Sequence, residues 1–255
     1  MARIDIGTLP LDVETTGSGP ALVFLHGEDY FAQNAPFLER LARRWRVIVP
    51  RHPGFAGTAR PPWFRSVGDI AYLYLDLLDA LKLDDAVVVG ASFGGWVALE
   101  MAVRSTARIG RLALIGSLGV KFGGREARDI TDVHVLSADE VVRRNFADPG
   151  RFAPDYAGMS EADLEIVAAD RAAAVLYGWR PYMHDPALVH WLHRVTAPTL
   201  VLWGEQDGLV APAYGEKLAA AIPGARFRAI PGAGHHPQIE RCDAVADAID
   251  ALARE

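Results

Sequence analysis

The sequence predicts an α/β domain: a mostly parallel eight-stranded sheet with helices on both faces and a helical cap inserted into it. Three observations carry this expectation. Continuous apolar runs such as Ala21-Leu22-Val23-Phe24-Leu25 and Val47-Ile48-Val49 alternate with stretches of helical spacing, the pattern of strands buried on both faces. Strand-like runs stop near Gly116 and resume at Thr199. Ahead of that gap, Val87-Val88-Val89-Gly90-Ala91-Ser92-Phe93-Gly94-Gly95-Trp96 reads as a buried strand, a turn of small residues and the start of a helix.

The elements follow in order. Ile4-Asp5-Ile6 and residues 9–14 alternate like two short strands about Gly7-Thr8. Gly17-Ser18-Gly19-Pro20 breaks the chain before the strand at 21–25, which ends at His26-Gly27-Glu28. Residues 36–44 have helical spacing, 47–49 form a strand, and 51–62 make a loop studded with Gly and Pro. A helix is expected over 69–81, with Ser66 or Asp69 as its cap. After the strand at 86–89, a helix runs to about Arg104 and Leu112-Ala113-Leu114-Ile115 forms another strand. Three helical stretches follow, over 138–145, 161–176 and 186–193. The closing elements are a strand at 199–203, a helix at 212–222, a strand at 226–230 and a helix at 242–253. Residues 1–116 and 197–255 are thus assigned to the core and 117–196 to the cap. The insertion starts just after a strand, at the sheet end where Ser92 emerges, and is placed to roof a site in that crevice.

Composition narrows the function classes. At 255 residues the chain is long enough to bury a substantial core. A net charge of −6 argues against nucleic acid or an anionic membrane as main partner. The single cysteine, Cys242, rules out an intramolecular disulfide framework and fits a reducing compartment. The first residues carry charges where a signal peptide needs an apolar run, and no stretch approaches the roughly 20 apolar residues of a membrane span. The expectation is a cytoplasmic protein, with monomer and homo-oligomer both open.

Gly90, Ser92 and Gly94 form G-x-S-x-G at a strand-to-helix corner. A serine there projects its hydroxyl clear of a tight turn, and the next helix aims its first free N–H groups at the same spot. A serine hydroxyl is a poor nucleophile near neutral pH and needs a base. His235, in the loop Pro231-Gly232-Ala233-Gly234-His235-His236-Pro237, has the favoured context, with His236 as rival. A carboxylate must hold the base, and Asp207 in Gly204-Glu205-Gln206-Asp207-Gly208 is favoured over Glu205. For an oxyanion hole, the Phe93 N–H is the first donor and the Glu28 N–H the second candidate. His26 reads more readily as a structural histidine than as a second base.

Assembled in this way, the chain resembles the α/β-hydrolase superfamily, in particular single-domain members with a helical cap. The resemblance covers nearly the whole chain. It rests on His26-Gly27, Gly90-Ala91-Ser92-Phe93-Gly94-Gly95, Gly204-Glu205-Gln206-Asp207 and Gly234-His235-His236-Pro237-Gln238-Ile239-Glu240, the last matching G-H-x-P-x-x-E. Pro53-Gly54-Phe55-Ala56-Gly57-Thr58 also resembles a family loop near the active-site mouth. Two departures stand out. Many relatives carry Gly or Pro two residues after the His-Gly pair, whereas here Glu28 and Asp29 follow His26-Gly27; these acids either point outward into solvent, are hydrogen-bonded, or serve the substrate. His236 follows the base where carbon–carbon bond hydrolases of the superfamily often have Trp.

A serine nucleophile disfavours the dehalogenase and epoxide-hydrolase relatives, which use Asp. The resemblance implies acyl chemistry. The first reading is carboxylic ester hydrolysis, lactones and thioesters included; the alternative is hydrolysis of a C–C bond in a diketone-like substrate. A non-catalytic small-molecule receptor is a third reading. The expected ligand is a small molecule with an apolar portion, with no cofactor. His190 and His193 read as a solvated face and not as a metal site. Candidate pocket residues are His26, Gly27, Asp29, Trp63, Tyr177, Trp179 and His236, and for the cap aromatics a core role competes with pocket lining. Arg180 could meet a substrate carboxylate or form a surface ion pair.

Overall fold

The computed structural model describes residues 2–28, 31–124 and 126–254. In chain order it contains β1 (Ala2–Ile6), β2 (Leu9–Thr16), β3 (Ala21–Leu25), α1 (Ala35–Ala42), β4 (Arg46–Pro50), α2 (Val67–Ala80), β5 (Ala86–Ala91), α3 (Phe93–Arg104), β6 (Ile109–Ile115) and β7 (Gly119–Val120). There follow α4 (Ala138–Asn145), α5 (Pro149–Phe152), α6 (Glu161–Gly178), β8 (His184–Asp185), α7 (Leu188–Trp191), β9 (Thr199–Gly204), α8 (Pro212–Ala221), β10 (Arg226–Ile230), α9 (Pro237–Glu240) and α10 (Cys242–Leu252). The main sheet has eight strands in the order β1-β2-β4-β3-β5-β6-β9-β10. β2 pairs antiparallel with both β1 and β4, and the remaining neighbours are parallel.

Two cores explain the apolar strands. Val23 and Leu25 of β3, Val88 of β5 and Leu112 and Leu114 of β6 pack with α2, α3 and α8. Their sequence neighbours Leu22, Phe24, Val87, Val89, Ala113 and Ile115 pack with α1 and α10 on the opposite face. A parallel sheet covered on both faces leaves no position for a polar residue. The helix at 67–80 starts two residues earlier than the spacing predicts. Ser66 accepts from Asp69 N at 3.1 Å while the Asp69 carboxylate takes Ser66 N at 2.8 Å, a reciprocal cap that fixes the first turn.

The region between β6 and β9 is mainly helical, yet it holds a feature that composition does not reveal. β7 and β8 form a two-residue parallel pair, Gly119 with His184 and Val120 with Asp185. Two residues are too few to show alternation. The last expected cap helix shrinks to α7 and a 3-10 turn over 192–194. Among the described residues no helix is long and apolar enough to cross a membrane.

Candidate active site

Ser92 sits at φ 49°, ψ −114°, between β5 and α3. A side chain at this φ costs of order 1–3 kcal/mol, which the packing around it must sustain. Glycine is obligatory beside it. A Cβ on Gly90 would lie 2.4 Å from the Gly94 carbonyl oxygen, and one on Gly94 would lie 2.0 Å from that of Leu25. The elbow is thereby pressed against the end of β3, where the His26-Gly27-Glu28 loop begins.

The loops after β9 and β10 meet through backbone. A Cβ on Gly204 would stand 1.9 Å from the Gly234 carbonyl oxygen. This approach brings Asp207 to His235. His235 Nδ1 lies 2.7 Å from Asp207 Oδ2, and His235 Nε2 lies 2.9 Å from Ser92 Oγ. The other carboxylate oxygen, Asp207 Oδ1, accepts from Leu209 N and Val210 N, both at 2.9 Å. All three side chains are buried. Burial pushes the His235 pKa down, but the Asp207 carboxylate, by charge and hydrogen bond, overcomes this and lifts it above the ordinary histidine value, with Glu28 adding to the rise. This is the arrangement of a base whose Nδ1–H is held by an acid and whose Nε2 faces a hydroxyl.

Glu28 departs from the expectation. Its backbone N–H is the predicted second oxyanion donor, but its side chain fills the space in question. Oε2 accepts from Phe93 N at 3.2 Å and Oε1 accepts from Ser92 Oγ at 3.2 Å. Local sequence could not foresee this, because both partners lie more than 60 residues away.

Over residues 22–248 the chain matches the profile of the alpha/beta hydrolase family. It belongs to that family. It is 35% identical over 250 residues to a 2-hydroxy-6-oxo-2,4-heptadienoate hydrolase of Pseudomonas putida, an alignment covering 92% of this chain and 89% of the relative. It is 29% identical over 242 residues to a 2-hydroxymuconate semialdehyde hydrolase of Pseudomonas sp. strain CF600, covering 90% and 85%. Among solved structures, the 2-hydroxy-6-oxo-6-phenylhexa-2,4-dienoate hydrolase of Rhodococcus sp. strain RHA1 superposes with a TM-score of 0.79 at 25% identity, covering 99% of this chain and 98% of that one.

The hydrolase has a cavity of ≈ 350 Å³ between the helical segment that follows β6 and the loops that carry Glu28, Asp207 and His235. Its wall is largely apolar, with Val141 and Val142 of α4, Ala174 and Val175 of α6, and Leu209 and Val210 behind Asp207. Glu28, Asn145, Arg171, His235 and His236 supply its main polar groups. Arg171 donates to the Tyr156 hydroxyl at 2.8 Å. Among the described residues no group of three or more His, Cys, Asp or Glu is arranged to hold a metal ion.

Most of the expected pocket residues lie elsewhere. Of that set, His236 lines the cavity; its Nε2 meets Asn145 Oδ1 at 2.9 Å, and burial followed by the charge of His235 keeps it well below the usual histidine range. Asp29 lies outside the described residues. His26 and Gly27 are buried and take no part in the cavity wall. His26 Nε2 accepts from His52 N at 3.2 Å, its Nδ1 lies 2.7 Å from the Gly27 carbonyl, and the His52 ring lies against it, tilted by 35° with centroids 3.9 Å apart. Trp63 is 63% exposed and touches Phe64 edge-on. Tyr177 is buried but turned toward the core, donating its hydroxyl to the Pro53 carbonyl at 2.8 Å and stacking on Phe55. Trp179 is half exposed and lies with Tyr177 and Arg180 along an outer groove. Seating the cap on the core therefore uses Tyr177 that composition alone would assign to substrate.

Two residues escaped the sequence reading. The Asn145 carbonyl accepts His235 N at 2.7 Å, and nothing in the helix around it signals that role. The Glu240 carboxylate accepts from Gly234 N at 2.5 Å and Asp148 N at 3.0 Å, tying the histidine loop to the cap. Its spacing in G-H-x-P-x-x-E is a signal that could have found it.

Proposed function

We infer that the chain is a serine hydrolase that cleaves a carbon–carbon bond beside a ketone in a small diketone-like substrate with an apolar portion, acting in the cytoplasm where Cys242 stays reduced. The observation that carries the chemistry is the hydrogen-bonded series Asp207–His235–Ser92, whose His235 lines a largely apolar cavity. The 35% identical relative, a hydrolase of 2-hydroxy-6-oxo-2,4-heptadienoate, supports the C–C bond over the ester as the bond cleaved.

In this reading Ser92 Oγ bonds to the ketone carbon as His235 Nε2 takes its proton, and the carbonyl electron pair moves onto oxygen. The Phe93 N–H donates to that oxyanion, with the Glu28 N–H as second donor once the Glu28 carboxylate has left. Collapse breaks the C–C bond, and the electron pair passes into the second carbonyl as an enolate. His235 returns the proton to that fragment. Water, deprotonated by His235, then cleaves the Ser92 ester and releases a carboxylic acid.

Carboxylic ester hydrolysis is the second reading. The same residues perform it, with the leaving alcohol taking the proton, and His236 in place of the tryptophan frequent in C–C hydrolases favours it. A panel of vinylogous diketone acids, with and without a hydroxyl on the carbon beside the scissile ketone, followed by loss of their conjugated absorbance, against p-nitrophenyl esters decides between them. Diketone turnover that vanishes in Ser92→Ala is expected. Ester turnover with no diketone turnover overturns the C–C reading, and a wild type no faster than Ser92→Ala on either class overturns both.

A further inference from the structure

Glu28 fits poorly with a site built to stabilise negative charge. One of its oxygens takes the Phe93 N–H, a donor that a tetrahedral intermediate needs, and the other takes the hydroxyl of Ser92, the nucleophile of the proposed reaction, each at 3.2 Å. An acceptor at that distance from the Phe93 N–H stands where an oxyanion would form. The cavity wall independently points the same way: Glu28 lines it and Ser92 does not. Ser92 is 1% exposed, so an incoming carbonyl meets the carboxylate before it meets the hydroxyl. No described lysine or arginine forms an ion pair with Glu28; the ionisable group across Ser92 is the His235 imidazole.

Two consequences follow from charge. A neutral acyl group must displace a carboxylate from two hydrogen bonds, and its own oxyanion then forms beside the displaced charge in a low-dielectric pocket. A substrate with a positive or strongly donating group next to its carbonyl offers Glu28 a new partner as it leaves.

We propose that Glu28 is a specificity-determining residue, a resident occupant of the oxyanion hole that excludes plain neutral acyl groups and yields to substrates bearing a cationic or hydroxyl donor beside the scissile carbonyl. The proposal rests on the serine-hydrolase reading and adds what the substrate must carry. It applies equally to C–C and ester cleavage.

The test is the rate at which two fluorophosphonates label Ser92 in the full chain, followed by intact-protein mass spectrometry. One probe carries a plain alkyl group, and the other an ammonium on the carbon next to phosphorus. The wild type is expected to react about tenfold faster with the cationic probe, a preference set by charge complementarity. Glu28→Ala is expected to take the neutral probe about tenfold faster than the wild type and to lose the preference. Glu28→Gln keeps the side-chain shape, protects against a folding defect in the alanine variant, and is expected to lose the preference too. Equal rates for the neutral probe in wild type and Glu28→Ala, or an undiminished preference in Glu28→Gln, overturn the proposal while leaving Ser92 chemistry intact. Failure of both probes to label any of the three proteins overturns the serine-hydrolase reading, and the role of Glu28 falls with it.

Discussion

The backbone N–H of His235 donates to the carbonyl of Asn145 at 2.7 Å, so the last residue of α4 holds the loop that carries His235. The same asparagine meets the His236 ring through Oδ1 and donates through Nδ2 to the Val141 carbonyl at 2.9 Å. α4 and the His235 loop are therefore one unit, and mutations in α4 should register in the proposed chemistry. Asn145→Ala keeps the carbonyl contact and removes the Oδ1 that meets the His236 ring. The expected result is a stability loss of about 1–3 kcal/mol with a lowered kcat/KM, measured by thermal melting and steady-state kinetics.

The Asp207–His235 pair sets a pH dependence. In the proposed mechanism His235 must be neutral to accept the Ser92 proton, and its pKa is lifted above 6.5 chiefly by Asp207 against the lowering effect of burial. The acid limb of kcat/KM should accordingly lie above pH 6.5. Asp207→Asn should lower kcat by about 10,000-fold and move the limb downward; an unmoved limb would place the titrating group elsewhere.

Tyr177 joins the cap to the core through the Pro53 carbonyl. Tyr177→Phe leaves that buried carbonyl without its partner while keeping the ring stacked on Phe55. It should cost about 1–3 kcal/mol, read as a shift in denaturation midpoint at unchanged slope.

Three buried histidines link folding to acid. Burial, followed by the neighbouring imidazole, holds His26 and His236 well below 6.5, and burial holds His52 at about 4. Each is neutral when folded and takes a proton when unfolded below pH 6.5. Their contribution is complete above 6.5 and is lost as pH falls toward the folded values. For His52 alone the loss by pH 4 is on the order of 3 kcal/mol. Melting midpoints should drop steeply from pH 6.5 to 4, and His52→Phe, whose ring has no proton to take up, should flatten that drop.

Local chemistry explains what could be read in the chain directly. Strands such as 21–25 and 86–91 announced themselves because a sheet covered on both faces demands apolar residues at every position. Ser92, Asp207 and His235 stood out because an elbow and two short loops need glycines at fixed offsets, a requirement confined to a few neighbouring residues. Ser66 capped α2 by a contact three residues long. Side-chain direction at half-buried positions obeys no such local rule. Glu28 turned inward because donors 64 and 65 residues away converged on it. Tyr177 turned to the core because a carbonyl 124 residues away was unpaired without it, and Asn145 gained its role from a loop 90 residues downstream. Backbone strain and strand burial are written in adjacent residues, whereas the partner of a buried polar group is known only once the chain has closed around it.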